Sequence, residues 1–348
     1  MRDVEKRDAL ILGIETSCDE TAVSLVRGGR KILADEIVSS APEHIRFGGV
    51  VPEIASRIHT DAILDATRRA FAAARVEAED LDAMAVTYGA GLLGALLVGV
   101  SFAKAYAYAI GKPLVAVNHI RGHIAAAYLA NEELRPPFMT LLASGGHTAI
   151  IHVKSYEEHE VLGSTLDDAV GEAFDKVARV LGLPYPGGPS VERLAREGKN
   201  TVSLPRMLKG AGGYDFSYSG LKTAVINFVH TAAQKGEDFG KADLACSFQS
   251  AALNVLADKL FRAARERGVN TVTAGGGVAA NGYLRELLTE RAEREKKTLI
   301  LPEKRYCTDN ACMIAAEGYI QYLKGNFADL TLNAKASIPL KNALNNLH

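Results

Sequence analysis

Short unbroken apolar runs alternate along the chain with longer stretches in which apolar residues recur every three or four positions. Runs bounded by polar turns read as strands and the longer periodic stretches as helices. The first run, 9–14, is a buried strand, and the polar turn Glu15-Thr16-Ser17-Cys18-Asp19-Glu20 follows it. Thr21–Val26 and Lys31–Val38 read as two further strands, with Gly28-Gly29 as the hairpin signal between them. Pro52 stands near the start of a helix that runs to about Arg75, with Ile54, Ile58, Ala62, Leu64 and Ala66 towards its apolar side. Leu81–Thr87 and Leu114–Val117 are strands, and the alanine-rich run Ile124–Ala130 favours helix.

After Arg135-Pro136-Pro137 the pattern restarts. Strands are expected at Phe138–Ala143, Thr148–Val153 and Glu160–Ser164, and a helix over Asp167–Leu181. Tyr185-Pro186-Gly187-Gly188-Pro189 breaks the chain sharply. A helix follows Lys222, and a long amphipathic one covers about Asp243–Arg267. Asn270–Ala274 is a strand that ends in Gly275-Gly276-Gly277, and 278–282 open the next helix. The last long helix reaches about Leu323. The order of strands, turns and helices in the second half repeats that of the first, which predicts two similar α/β lobes joined near Asn131–Pro137 with a cleft between them. The expected division is 8–130 and 131–310, with 311–340 packing back on the first lobe.

Composition narrows this little. The 348 residues suffice for two ordinary domains, and 48% hydrophobic with 23% charged residues is ordinary for a globular protein. A net charge of −1 supplies no global basic field, so a nucleic-acid partner would have to meet a local patch. Arg262, Arg265 and Arg267, and Arg291, Arg294, Lys296 and Lys297, are the basic runs, though such runs are usually solvated helix faces. The apolar run near the N-terminus is too short for a signal-peptide core, and Leu92–Val100 is too short for a membrane span. Cys18, Cys246, Cys307 and Cys312 have no C-x-x-C spacing and read as reduced thiols of a cytoplasmic protein.

The candidate chemistry begins at His119-Ile120-Arg121-Gly122-His123. Histidines at i and i+4 of a helix share one face and can grip one metal ion, as in H-E-x-x-H hydrolases. Ile120 stands where those enzymes have their general-base glutamate. Asp309 precedes the last long helix, either as its N-cap or as a third, carboxylate ligand. Gly89-Ala90-Gly91-Leu92-Leu93-Gly94 matches G-x-G-x-x-G, but Asn118-His119 closes the next strand where the dinucleotide fingerprint has an acidic residue. The glycines there allow close approach of a ligand or of a neighbouring helix. Ser144-Gly145-Gly146-His147 and Gly275-Gly276-Gly277 are turns at strand ends, the second running into a helix N-terminus that suits an anion or a nucleotide.

Ile14–Thr21, Gly49-Val50-Val51-Pro52-Glu53, the His119/His123 pair, Ser144–Thr148, Gly171-Glu172-Ala173-Phe174-Asp175-Lys176, Tyr185–Pro189 and Gly275–Asn281 occur in this order. Together, over about residues 9–325, they resemble the bacterial TsaD branch of the tRNA threonylcarbamoyladenosine family, once described as O-sialoglycoprotein endopeptidases. The resemblance implies a two-lobed fold of the actin-like, sugar-kinase and heat-shock-ATPase type, each lobe an RNase H-like mixed sheet flanked by helices. It implies transfer of threonylcarbamoyl from threonylcarbamoyl-adenylate to the N6 amine of the adenosine beside the anticodon, in tRNAs reading codons that begin with A. It also implies a divalent metal, iron(II) or zinc, held by His119, His123 and Asp309. Ala143, Ser144, Gly145, Gly146 and His147 match the substrate-binding turn, and Asp175, Gly188 and Asn281 match nucleotide-binding positions. Glu192 falls where many members have aspartate, and Arg121 where many have glutamate. The partners implied are tRNA, a silent paralogue (TsaB), a small ATPase (TsaE) and a TsaC-type synthase that supplies the adenylate, with no membrane. Glu15 and Asp19 are candidates for a general base. A metallopeptidase, or an ATPase or sugar kinase of the same fold, is the competing reading; a silent scaffold would lack the histidines.

Overall fold

The computed structural model describes residues 8–205, 208, 212–236 and 238–344. The chain divides into two compact units, one of 1–134, 156–158 and 308–348, the other of 135–155 and 159–307. Asp309 therefore belongs to the first unit. That differs from the sequence-based division, which left 308–310 in the second lobe. The last long helix starts at Ala311 and packs on the first unit's sheet, and the residues before it go with it.

In the first unit β1 (Leu10–Glu15), β2 (Glu20–Arg27), β3 (Lys31–Ser39), β4 (Ala83–Gly89) and β5 (Leu114–Asn118) form a sheet of order β3-β2-β1-β4-β5. β1 pairs antiparallel with β2 and parallel with β4, and β4 parallel with β5. β1 is buried at every position because it is central and covered on both faces, which is why its sequence is an unbroken apolar run rather than an alternation. The β2–β3 hairpin closes at Gly28 and Gly29, with φ of 58° and 66°, conformations open to glycine at little cost. Between β3 and the next long helix lies a short helical turn, α1 (Ala41–His44). α2 (Pro52–Ala74) starts at proline as expected. α3 (Leu93–Ile110) follows the β4 turn, and α4 (His119–Ala130) follows β5 directly.

α3 corrects one expectation. By length and composition alone it could cross a membrane, although the apolar run in the sequence is shorter. In the fold it packs on β4 and α2, burying Ala95, Leu96, Gly99, Val100, Ala103 and Ala107.

The second unit repeats the topology. β6 (Phe138–Ala143), β7 (Thr148–Val153), β8 (His159–Ser164), β9 (Thr271–Gly275) and β10 (Thr298–Ile300) are ordered β10-β9-β6-β7-β8, the same plan of two antiparallel and two parallel pairings. β10 is too short to announce itself in the sequence. α5 (Val170–Leu181) starts later than expected. Asp167 instead accepts the Tyr218 N–H at 2.7 Å, and Asp168 takes Lys176 and Lys222, each at 2.7 Å. The Tyr185–Pro189 segment is less of a break than it reads. α6 (Gly187–Ala195) begins inside it, and Pro189 sits in the first turn, where the missing N–H is harmless. α7 (Ser219–Lys235), α8 (Lys241–Glu266) and α9 (Gly282–Glu295) complete this unit. Leu244, Phe248, Leu253, Leu256 and Leu260 of α8 run through its core, with Phe174 of α5 edge-on to Phe248 at 4.9 Å. α10 (Ala311–Lys324) and α11 (Leu340–Leu344) return to the first unit.

Candidate functional site

In the first unit β1 ends at Glu15, β4 at Gly89 and β5 at Asn118, and α4 starts at the next residue, His119. Asn118 accepts the Ile120 N–H at 2.9 Å and so fixes where the helix begins. The i, i+4 spacing then places the His119 and His123 rings 4.6 Å apart. α10 supplies the third group. It lies close on the sheet because Gly13 and Gly318 are glycines: a Cβ on Gly13 would meet the Ala311 carbonyl, and one on Gly318 the Ala85 side chain. The residue ahead of that helix, Asp309, thereby comes up to the histidines, with Oδ1 3.3 Å from His123 Nε2 and 3.5 Å from His119 Nε2. Asp309 is not the cap of α10. Asn310 is, accepting the Met313 N–H at 2.9 Å, which leaves the Asp309 carboxylate to the imidazoles.

Glu15 stands behind His119. It is fully buried, with Oε2 3.0 Å from His119 Nδ1 and accepting from Thr87 Oγ1 at 2.7 Å, while Oε1 accepts the Ser17 N–H at 2.5 Å. Nδ1–H thus donates to a carboxylate, and Nε2 is turned towards Asp309. So placed, Glu15 orients the His119 ring; its oxygens are already engaged. Asp19 lies on the partly exposed turn with Cys18 and Glu20. Among the residues sequence reasoning passed over are Glu20, which the motif contains, and Thr87, for which the sequence has no signal.

The electrostatics of the cluster suit a cation. Burial acts to raise the Asp309 pKa, yet His119 and His123 bring it down to about 2. Burial acts to lower that of His119, yet Asp309 and Glu15 raise it to about 9. His123 is pushed down, first by burial and then by His119. Glu20 is pushed up to about 10 by burial and by the charges of Asp309 and Asp19. The donor set fits a metal on two further counts. Candidate ligand atoms of His119, His123 and Asp309 all lie within 4.8 Å of one another, and the buried ring nitrogens of His123 have no hydrogen bond of proper geometry among the described residues. Two imidazoles and one carboxylate suit iron(II) or zinc.

Arg121 points away from this cluster. It is buried, with Nε 2.6 Å from Glu317 Oε1, and it donates to the carbonyls of Leu344 at 2.7 Å and Tyr156 at 3.0 Å. Lying two residues from each histidine, it faces the opposite side of α4. Its charge meets Glu317 instead of the histidines.

The G-x-G-x-x-G of this unit receives protein, not ligand. A Cβ on Gly89 would meet the Lys335 carbonyl, one on Gly91 the Ser17 carbonyl at 2.5 Å, and one on Gly94 Ser56 Oγ at 2.7 Å. The second unit's turns differ. Ser144 N–H donates to the His147 carbonyl at 2.8 Å, and His147 N–H to Ser144 Oγ at 3.1 Å. This fixes a tight turn whose Gly145 and Gly146 are exposed, with nothing within 4 Å of a Cβ placed on either. Gly276, at φ 91°, abuts the Ala143 carbonyl, and Gly171 N–H, in the first turn of α5, reaches the Ser144 carbonyl at 3.3 Å. Two strand ends and one helix start therefore meet around an open glycine turn, an arrangement that can cradle an anion.

In the same unit, Asp175 accepts the Gly187 N–H at 2.8 Å, and burial raises its carboxyl pKa. Gly188, next to it, has open space where a Cβ would go. Glu192 accepts the Gly282 N–H at 3.0 Å and pairs with Arg196 at 2.5 Å. Asn281 caps α9 through the Leu284 N–H at 3.0 Å and donates to Gln249 at 2.9 Å. Asp175, Glu192 and Asn281 thus hold the starts of α6 and α9.

Solved structures of similar fold include HypF of T. kodakarensis, with a TM-score of 0.60 at 17% identity over 94% of this chain and 49% of that one. Component A of (R)-2-hydroxyglutaryl-CoA dehydratase from Acidaminococcus fermentans matches with a TM-score of 0.53 at 16% identity, over 90% of this chain and 99% of that one. At such identities they establish the two-lobed, actin-like α/β fold and nothing about activity. Sequence relatives go further. The chain is 51% identical over 339 residues to the tRNA N6-adenosine threonylcarbamoyltransferase of Bacillus cereus (strain ZK / E33L), covering 97% of this chain and 98% of that protein. It is 50% identical over 331 residues to that of Moorella thermoacetica, covering 95% and 97%. The family description "TsaD: tRNA N6-adenosine threonylcarbamoyltransferase" matches residues 31–316. With matches of this identity covering nearly the whole chain, the chain belongs to the family of tRNA N6-adenosine threonylcarbamoyltransferases, enzymes that modify tRNA.

Proposed function

We propose that the protein moves the threonylcarbamoyl group of threonylcarbamoyl-adenylate onto N6 of the adenosine beside the anticodon, in tRNAs reading codons that begin with A. The bond between the carbamoyl carbon and the adenylate phosphate oxygen breaks, a bond from that carbon to N6 forms, N6 loses a proton and AMP leaves. The observation that carries this reading is the His119–His123–Asp309 trio, with Glu15 hydrogen-bonded behind it. A silent relative would have no use for such a ligand set.

A divalent metal held there, iron(II) or zinc, would act as a Lewis acid and stabilise negative charge developing on the carbamoyl or phosphate oxygens. The chain's own residues do the rest. Glu15 fixes the His119 tautomer. The Ser144–His147 turn, with Gly145 and Gly146 open, offers backbone N–H groups to the adenylate phosphate, and Asp175 and Gly188 border the place for its nucleoside. Asp19, on the partly exposed turn whose Glu20 feels the charge of Asp309, is the better placed of the two general-base candidates, since Glu15 is fully engaged. The partners in this reading are tRNA, a silent paralogue, a small ATPase and a synthase that makes the adenylate, all in the cytoplasm.

The metallopeptidase reading is weaker, because Ile120 replaces the adjacent glutamate and is buried. A reconstituted reaction with these partners and unmodified tRNA, followed by nucleoside mass spectrometry, tests the proposal. Threonylcarbamoyladenosine and AMP are expected; no nucleoside modification there, together with ADP release by the protein alone without its partners, would favour an ATPase.

A further inference from the structure

The segment between β3 and α2 ends in a tip for which the chemistry above has no use. Its neck is closed from inside by His44, which is fully buried. His44 Nδ1 accepts the Val51 N–H at 3.3 Å, and Nε2 lies 3.0 Å from Ser40 Oγ. Ser40 in turn donates both its N–H and its Oγ–H to the Asp19 carbonyl, each at 2.8 Å. The neck therefore hangs on the Asp19–Glu20 turn, whose Glu20 carboxylate feels the charge of Asp309. Beyond the neck the side chains turn outward. Ile45 is 53% exposed and Phe47 52%, and the Arg46 guanidinium lies 4.7 Å over the Phe47 ring. Gly48 and Gly49 follow, with open space around them.

An aromatic ring held out in water beside a cation is a poor contributor to folding, but it has the two features that unpaired RNA requires. Its face stacks on a base, and the cation takes a phosphate. Most residues of the more obvious basic runs are already engaged, Arg294 and Lys296 excepted among the described residues. Arg265 pairs with Glu295 at 2.7 Å, Arg267 with Glu160 at 3.0 Å, and Arg291 with Asp258. Arg46 has no carboxylate partner among the described residues.

We propose that the 45–47 tip grips the RNA substrate, Phe47 stacking on an unpaired base of the anticodon loop and Arg46 holding a backbone phosphate. The proposal rests on the tRNA-modifying reading above. Its test is the reconstituted transfer with Phe47→Ala, Phe47→Tyr and Arg46→Ala, measuring KM for unmodified tRNA, KM for threonylcarbamoyl-adenylate and metal content. Phe47→Ala is expected to raise KM for tRNA about tenfold, the loss of one stacked base, and Phe47→Tyr to restore it. Arg46→Ala is expected to weaken tRNA binding and lower the log–log salt slope by about one. Metal content and KM for the adenylate stay at wild-type values. If Phe47→Ala keeps the wild-type KM for tRNA, or raises that for the adenylate as much, the tip is not an RNA contact. If the wild-type protein itself neither binds nor modifies tRNA, the functional reading falls first and the tip falls with it.

Discussion

The two units share one strand order but use their glycines in opposite ways. In the first, the turn after β4 is packed solid: Gly89, Gly91 and Gly94 admit backbone and side chains of the same unit. In the second, the turn after β6 stands open at Gly145 and Gly146, and Gly276 serves only to bring its neighbour in. The first unit instead places polar side chains at its strand ends, Glu15 and His119, and meets them with Asp309. One scaffold thus yields a buried side-chain cluster that suits a cation and an open backbone turn that suits an anion. A glycine motif reports close approach; what does the approaching is settled elsewhere.

The largest effect expected to sharpen this contrast is on the metal. His123→Ala should remove most of the bound iron or zinc, measured by elemental analysis, and abolish transfer, while ADP or AMP binding by calorimetry stays unchanged. Asp309→Ala should weaken metal binding without eliminating it, since both imidazoles remain. Loss of nucleotide binding in step with metal would break the division of labour.

Next come two matched glycine substitutions. Gly91→Ala should destabilise the protein by about 1–3 kcal/mol in denaturant melts, because its methyl group meets the Ser17 backbone. Gly146→Ala should leave the melt alone and weaken adenylate binding, because its methyl group enters open space, which the proposal gives to the adenylate. Equal effects on stability would show that the open turn is not a cradle.

Glu15→Gln should lower metal affinity by about 10–100-fold, the usual cost of losing a carboxylate behind a ligating histidine, with KM for tRNA unchanged. The smallest effect is the pH dependence. In metal-free protein the His119 pKa is raised to about 9, so its contribution to stability is full below the unfolded value near 6.5 and is lost as pH rises through 9. Metal needs the neutral ring. Affinity should therefore rise with pH, by about tenfold per unit while one proton is displaced, and level off near 9. A flat titration by calorimetry would show that His119 does not exchange a proton for the metal.

Much of this protein was settled by local sequence. Unbroken apolar runs produced the central strands, Gly28-Gly29 the hairpin, and the i, i+4 histidines the shared helix face, because each depends on neighbours a few positions apart. The repeated pattern foretold two like sheets. Tertiary structure decided the rest. That Asp309 belongs with the histidines follows from α10 seating on Gly13 and Gly318, a contact between distant segments. That Asn310 caps while Asp309 does not depends on one peptide's dihedral angles. Whether Arg121 disturbs the histidines depended on Glu317 lying opposite, and whether Glu15 is a base or a brace depended on Thr87 and Ser17 filling its oxygens. Spacing along a chain encodes a face, but occupancy of that face is a property of whatever the fold brings against it.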